Sequence, residues 1–208
     1  MMNSDLVVGP LAHGLLREQV LDLAATGRAG LAALLGDAVQ RHALFRPGMR
    51  ADRFLVATVE GQLAGYVSLK YAGQGPFAPG LTDFIRCHGW RRGTHAFAVF
   101  AWIEARTRPR PGGAYIYGMD ILKPWRGHKR GRDVGGARMR AAMAATAGLG
   151  LTTLDMEVRH ANSRALALRM GARPVMARRL SRAGLLLATA GEYTRYSIAI
   201  NPAASGWA

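Results

Sequence analysis

The chain of 208 residues is long enough for one domain with a proper core and short for two. Half of its residues are hydrophobic and 20% are charged, a globular balance that excludes a disordered chain. A formal charge of +15 favours anionic ligands or partners (nucleic acid, phosphorylated molecules, acidic proteins, an anionic membrane face), although a solvated Arg-rich surface accounts for part of it equally well.

Cys87 is the single cysteine, which excludes an internal disulfide and any multi-Cys metal site and reads as a structural thiol. His13, His42, His88, His95, His128 and His160 show no metal-ligand spacing, so no metal is expected. "MMNSDLVVGPLAHGLL" lacks the basic start and long apolar run of a secretory signal. No segment approaches the ~18 uninterrupted apolar residues of a membrane span. The expectation is a cytoplasmic chain with no membrane partner.

In chain order, Leu16, Val20, Leu21, Leu23, Leu31, Leu34 and Leu35 recur at helical intervals between residues 15 and 40. Gly27 and Gly30 divide that region into two helices. "RFLVATVEGQLAGYVSLKYA" reads as a β-hairpin around Glu60-Gly61-Gln62, followed by the loop "AGQGPFAPG". Residues 81–106 read as one or two helices with Phe97, Phe100 and Ala101 facing the core, and "TRPRPGG" ends them. "AYIYGMDIL" is a strand and Arg138–Gly148 a helix. "LTTLDMEV" alternates Leu154, Met156 and Val158 with Asp155 and Glu157, as a strand does. Asn162 is placed as the cap of a short helix ending at Gly171, and strands follow near 174–179 and 194–200. Neither an internal repeat nor an interdomain linker is evident, so 1–208 reads as one domain.

Between the strand and the helix lies "KPWRGHKRGRDVGGARMRAAM", in which Arg126, Lys129, Arg130, Arg132, Arg138 and Arg140 surround four glycines. A strand entering a glycine-rich turn and then a helix offers unpaired amides, close approach and a positive helix end to a phosphate. The stretch is not a P-loop and lacks a Gly-x-Gly-x-x-Gly fingerprint, so on its own it reads as a phosphorylated-ligand site or as a basic loop.

The passage from "YGMDIL" through "RDVGGARM" to "LDMEVRHANSRALALRMGA" resembles the acetyl-CoA-binding core of the GNAT N-acetyltransferases. The likeness is clear over 114–172 and plausible over the hairpin. It implies an α/β fold with a mixed, mostly antiparallel central sheet, a splayed strand pair and helices on both faces. It also implies acetyl-CoA as acyl donor and an amine acceptor, a small molecule or a protein terminus. The family loop Gln/Arg-x-x-Gly-x-Gly/Ala maps onto Arg132, Asp133, Val134, Gly135, Gly136 and Ala137, whose amides would grip the CoA diphosphate. Starting the loop at Arg130 would put Asp133 at the first glycine position, and starting at Arg126 would put Lys129 there.

Acetyl transfer to an amine needs a base, because a lysine-like ammonium with pKa near ~10.4 cannot attack, and a donor for the thioester carbonyl. The resemblance places that donor at the amides of Ile121 or Leu122, and the base at Glu157 of "MEVRHAN", with Asp120 as runner-up. Each carboxylate reads alternatively as a polar strand residue on a solvated or ion-paired face. Tyr115 and Tyr117 are replacement acids or core aromatics; Tyr117 is carried forward. Asn162 caps its helix or binds pantetheine amides. The family often has an acid tyrosine seven residues beyond that Asn, where this chain has Arg169. Residues 81–106 form an insert where acceptors enter, and Arg86, Arg91 and Arg92 there favour an acceptor carrying negative charge. A homodimer is admitted as a partner state. The competing readings are a nucleic-acid-binding or tRNA-acetylating protein and a non-catalytic CoA sensor.

Overall fold

The structure is a computed structural model describing residues 6–12, 14–27, 32–126, 133–158, 161–180 and 191–204. It opens with a strand that the sequence pattern did not suggest. β1 (Leu6–Pro10) pairs antiparallel with β2 (Phe54–Val59), from Leu6↔Val59 to Pro10↔Leu55. Its Gly9-Pro10 ending resembles a turn, but β1 is an edge strand, where a missing N–H costs nothing.

α1 (Leu15–Gly27) ends at the predicted glycine, while Gly30 falls outside the described residues. Instead of one further helix there are two, α2 (Ala32–Leu35) and α3 (Ala38–Phe45). Gly36 breaks the chain at φ 83, and Asp37 restarts it with a capping box. Gln40 N–H donates to Asp37 Oδ1 at 2.8 Å and Asp37 N–H to Gln40 Oε1 at 3.1 Å. The predicted hairpin is β2 and β3 (Gln62–Lys70). Its turn residues Glu60 (φ 54) and Gly61 (φ 75) both adopt the positive φ of a tight two-residue hairpin. The 81–106 segment is two helices, α4 (Leu81–His88) and α5 (Trp90–Arg106), separated at Gly89 (φ 75).

β4 (Gly113–Ile121), α6 (Val134–Gly148), β5 (Thr153–Val158), α7 (Ala161–Arg169), β6 (Arg173–Leu180) and β7 (Gly191–Ala199) complete the order. The strands form one sheet, β1-β2-β3-β4-β5-β7-β6, in which only β4 and β5 run parallel. Two expectations shift. α6 starts four residues before Arg138, so Gly135 and Gly136 lie in its first turn rather than in a preceding loop. Asn162 lies one residue inside α7, so it does not cap that helix.

Apolar residues fill both faces. Phe54, Val56 and Tyr66 pack with Leu21, Leu44, Phe84 and Phe100 under α1, α3, α4 and α5. Val67, Ile116, Leu154, Met156 and Tyr196 pack with Met139, Ala142 and Ala167 under α6 and α7. Burying each such side chain contributes roughly 1.5–3 kcal/mol.

The functional geometry starts where β4 meets β5. The two pair only from Gly113↔Thr153 to Ile116↔Met156. Beyond that, β4 stays bound to β3 as far as Gly65↔Ile121, and β5 to β7 as far as Val158↔Thr194. Their outer edges remain satisfied while their facing edges part. The cause sits in β4: Ser68 opposes Gly118 and Leu69 opposes Ile116, leaving Tyr117 as an extra residue. A bulge bends its strand, and this one turns β4 away from β5 where their pairing ends.

Candidate active site

Tyr117 and Glu157 are the first residues past the last β4–β5 pair. Met156 and Val158 pack beneath α6 and α7, so alternation directs Asp155 and Glu157 to the opposite face. Tyr117 packs against the cluster on that same face. The fork therefore brings the predicted base and the predicted acid to one side of the gap, facing the helices before β4.

Tyr117 has a partner that the sequence did not suggest. Its hydroxyl donates to Glu104 Oε1, and Lys70 Nζ donates to Glu104 Oε2 at 2.6 Å and to the Glu104 carbonyl at 2.8 Å. Lys70 is 2% exposed, so Glu104 neutralises a buried ammonium. A signal existed: Glu104 is the lone acidic residue of α5, in helical register with Phe97, Phe100 and Ala101.

Below the fork, Asp155 is fully buried between two arginines. Arg110 reaches it through Nη2 (2.8 Å) and Nε (3.2 Å), and Arg195 through Nη2 at 2.6 Å. Burial pushes the Asp155 carboxyl upward, but hydrogen bonds from Arg110, Ser197 and Arg195 outweigh it and hold the pKa below the usual range. The same hydrogen bond raises Arg110.

Asp120, the runner-up base, accepts from the Tyr66 hydroxyl at 3.1 Å and lies against Gly27, where any side chain would strike its carboxylate. Its side chain links β4 to β3 and packs against the end of α1. Of the two predicted carbonyl donors, Leu122 donates its N–H to Ala64 O at 3.0 Å and is committed to the sheet. Ile121 presents its polar groups to the opposite edge, where β5 has departed, and its carbonyl accepts from Arg126 Nε at 2.9 Å.

The mouth of α6 departs from expectation. Asp133 is the N-cap, and its Oδ1 accepts from Gly136 N–H at 2.9 Å, an amide assigned from sequence to a diphosphate. Arg169 Nη2 donates to Asp133 Oδ2 at 2.9 Å. The amides of Val134 and Gly135, at the first two helical positions, have no acceptor within the helix. Ala137 N–H is spent on Asp133 O at 2.9 Å. Arg132, Lys129 and Arg130 lie outside the described residues. Arg138 does not serve the anion site. It is 1% exposed, and its Nη1 donates to the carbonyls of Tyr66 and Asp120, both at 2.5 Å, stitching β3, β4 and α6. Burial lowers its pKa to about 10, against the raising effect of Asp120 and Tyr66.

Asn162 is exposed at the start of α7. Arg86 pairs with Asp83 at 3.4 Å, and Arg91 and Arg92 are exposed. None of these three arginines lines either of two clefts formed by described residues on the side of the sheet that carries α1 and α5. One cleft, about 790 Å³, lies among Leu15, Leu16, Leu23, Leu63 and Leu122 with Asp22. The other, about 310 Å³, includes Lys70 and Glu104. Burial raises the Cys87 thiol, as suits a structural role. Among the described residues, no group of three or more His, Cys, Asp or Glu could hold a metal ion, and no helix is long and apolar enough to cross a membrane.

A seven-stranded, mostly antiparallel sheet forked between its parallel fourth and fifth strands, with a helix opening beside the fork, is the GNAT acetyltransferase fold. Solved structures bear this out at low identity. A mutant agmatine N-acetyltransferase in its apo form superposes with a TM-score of 0.63 at 15% identity, covering 94% of this chain and 100% of that one. The polyamine N-acetyltransferase of Drosophila melanogaster, which forms N-acetylagmatine, gives 0.58 at 15%, covering 94% and 100%. The mosquito arylalkylamine N-acetyltransferase-like 5b gives 0.60 at 13%, again covering 94% and 100%. No family model and no curated protein sequence matches the chain.

Proposed function

We propose that the chain is an N-acetyltransferase that moves an acetyl group from acetyl-CoA to a primary amine by direct attack in a ternary complex. The observation that carries the reading is the fork: two strands part at a bulge, and Tyr117 and Glu157 stand at its vertex on one face. Residues 114–172 form the CoA-binding core, with the thioester arm in the fork and the diphosphate at the mouth of α6.

Glu157 removes the amine proton, directly or through water, freeing the nitrogen lone pair. The C–N bond forms at the thioester carbon while Ile121 N–H stabilises the carbonyl oxygen, and the C–S bond breaks. Tyr117 supplies the thiolate proton, its hydroxyl turning from Glu104 toward sulfur, and is reprotonated by the second proton that the acylated nitrogen sheds. Asp120 is held by Tyr66 and supports the site rather than acting in it. The leucine-lined cleft beside Leu122 supports an acceptor with an apolar body.

Incubation with acetyl-CoA and a panel of primary amines tests the reading. Amine-dependent release of the CoA thiol, with one acetyl group gained by the amine, is the expected result. A non-catalytic CoA sensor is the second reading, favoured by Arg169 pairing with Asp133 where the resemblance leads to an acid tyrosine. Binding of CoA without turnover on any amine would select it.

A further inference from the structure

Three side chains from two strands and a helix meet at the vertex of the fork. The Tyr117 hydroxyl gives its single proton to Glu104 Oε1, and Lys70 Nζ donates to Glu104 Oε2 at 2.6 Å. The same ammonium lies 5.8 Å from the centre of the Tyr117 ring. Its further contacts are Glu104 O at 2.8 Å and Thr107 Oγ1 at 3.4 Å, and Lys70 is 2% exposed. A buried pair of this kind is a poor stabiliser, because desolvating two charges offsets most of their attraction and apolar residues of similar volume often serve as well. Its place beside Tyr117 suits another role. A phenol bonded to a lone carboxylate is a reluctant acid, since losing its proton sets two negative charges side by side. Lys70 cancels the charge of Glu104 and leaves its hydrogen-bonding direction intact. This face of the sheet also carries Glu157 and Asp155 from β5 and Asp120 from β4. Arg110 and Arg195 match Asp155, and Asp120 accepts from Tyr66. On α1, Glu18 and Asp22 face His42 of α3. Lys70 is thus the cation set against the Tyr117 ring.

We propose that Glu104 and Lys70 are positioning residues for the acid step, Glu104 aiming the Tyr117 hydroxyl and Lys70 offsetting the carboxylate so that the phenol can part with its proton. The inference rests on the acetyl-transfer reading above. As the C–S bond breaks, sulfur keeps the electron pair, the Tyr117 O–H bond opens and an S–H bond forms. The phenolate left behind lies beside the Lys70 ammonium until the proton shed by the acylated nitrogen restores the hydroxyl. Glu104 and Lys70 touch neither CoA nor the amine, and both keep their charges throughout.

Two measurements test this: steady-state kinetics with acetyl-CoA and a primary amine, and an NMR titration of carbon-13-labelled tyrosine in which Tyr117→Phe assigns the Tyr117 signal. Two charge-free double variants come first, because removing both charges together spares the fold. Lys70→Met with Glu104→Gln keeps an acceptor for the hydroxyl and should hold kcat within about threefold of wild type. Lys70→Met with Glu104→Leu lacks that acceptor and should lose roughly tenfold or more in kcat, with KM for both substrates unchanged. The single substitutions then test the charge. Lys70→Met leaves the carboxylate against the phenol and should raise the Tyr117 titration by about one pH unit or more and lower kcat, whereas Glu104→Gln leaves the ammonium and should lower the titration. A merely structural pair would treat the two double variants alike and move both single variants in one direction. Equal kcat in the two double variants, or single-variant titrations that shift the same way, overturns the inference; should a single variant not fold, the double variants decide alone. A wild type that acetylates no amine overturns the acetyl-transfer reading and this inference together. A wild type that acetylates an amine no faster than Lys70→Met with Glu104→Leu does overturns this inference alone.

Discussion

Replacing Asp155 by Asn changes almost no volume but removes the negative charge that Arg110 and Arg195 share under the fork. The side chain is 0% exposed and Arg195 is 10% exposed, so that pair is shielded from water. Breaking a buried pair from one side costs roughly 3–5 kcal/mol, because the remaining charge stays buried without its partner. Arg110 is 44% exposed and can turn to solvent, so its share is about 1 kcal/mol or less. Arg195 therefore dominates, and the expected loss is roughly 3–4 kcal/mol, with the amide N–H₂ now facing guanidinium donors. At roughly 2–4 °C per kcal/mol for a chain of this size, melting falls by roughly 6–16 °C. Urea titration at neutral pH measures the loss, with Arg110→Ala as a control expected to cost less than about 1 kcal/mol. The pH dependence has a definite sign. The folded pKa of Asp155 lies below its unfolded value, so the stabilisation is present above the unfolded pKa near ~3.9 and disappears as pH falls through the folded value. The gap between wild type and Asp155→Asn should hold constant down to about pH 5 and close in stronger acid. A gap under about 1 kcal/mol at neutral pH, or one that widens on acidification, refutes the reasoning.

Glu157→Gln should lower turnover by roughly 10²-fold or more while CoA affinity holds, and an unchanged rate removes Glu157 as the base. Glu104→Gln leaves the Lys70 ammonium buried without its carboxylate and should cost roughly 3 kcal/mol in urea titration. Tyr117→Phe, losing one hydrogen bond, should cost about 1 kcal/mol, and the reverse order would contradict the assignment of that charge pair. CoA binding that holds at moderate salt is the expected result; nucleic-acid binding whose logarithm falls steeply with log salt would favour the competing reading.

The strands and helices that bury one face were legible because their periodicity is written in consecutive residues. Leu154, Met156 and Val158 alternate, and the β2–β3 turn falls at Glu60-Gly61. β1 was not legible, since Gly9 and Pro10 read as turn residues and only an edge position makes them acceptable. The likeness to GNAT enzymes led to the fork, but its cause, the extra residue at Tyr117, depends on how β4 meets β3 and leaves no local mark. Arg138 shows how linear proximity misleads. It neighbours the glycines in sequence, but α6 begins at Val134, and one helical turn rotates Arg138 inward onto two carbonyls. Asp133–Arg169 and Lys70–Glu104 join residues 36 and 34 positions apart, pairings that only the folded chain defines.

A crystal structure with CoA bound tests the central claim most directly. The account predicts that the pantetheine arm threads between β4 and β5, its sulfur beside Tyr117 and Glu157 and its diphosphate against the Val134 and Gly135 amides. CoA held elsewhere, with the fork vacant, would contradict it.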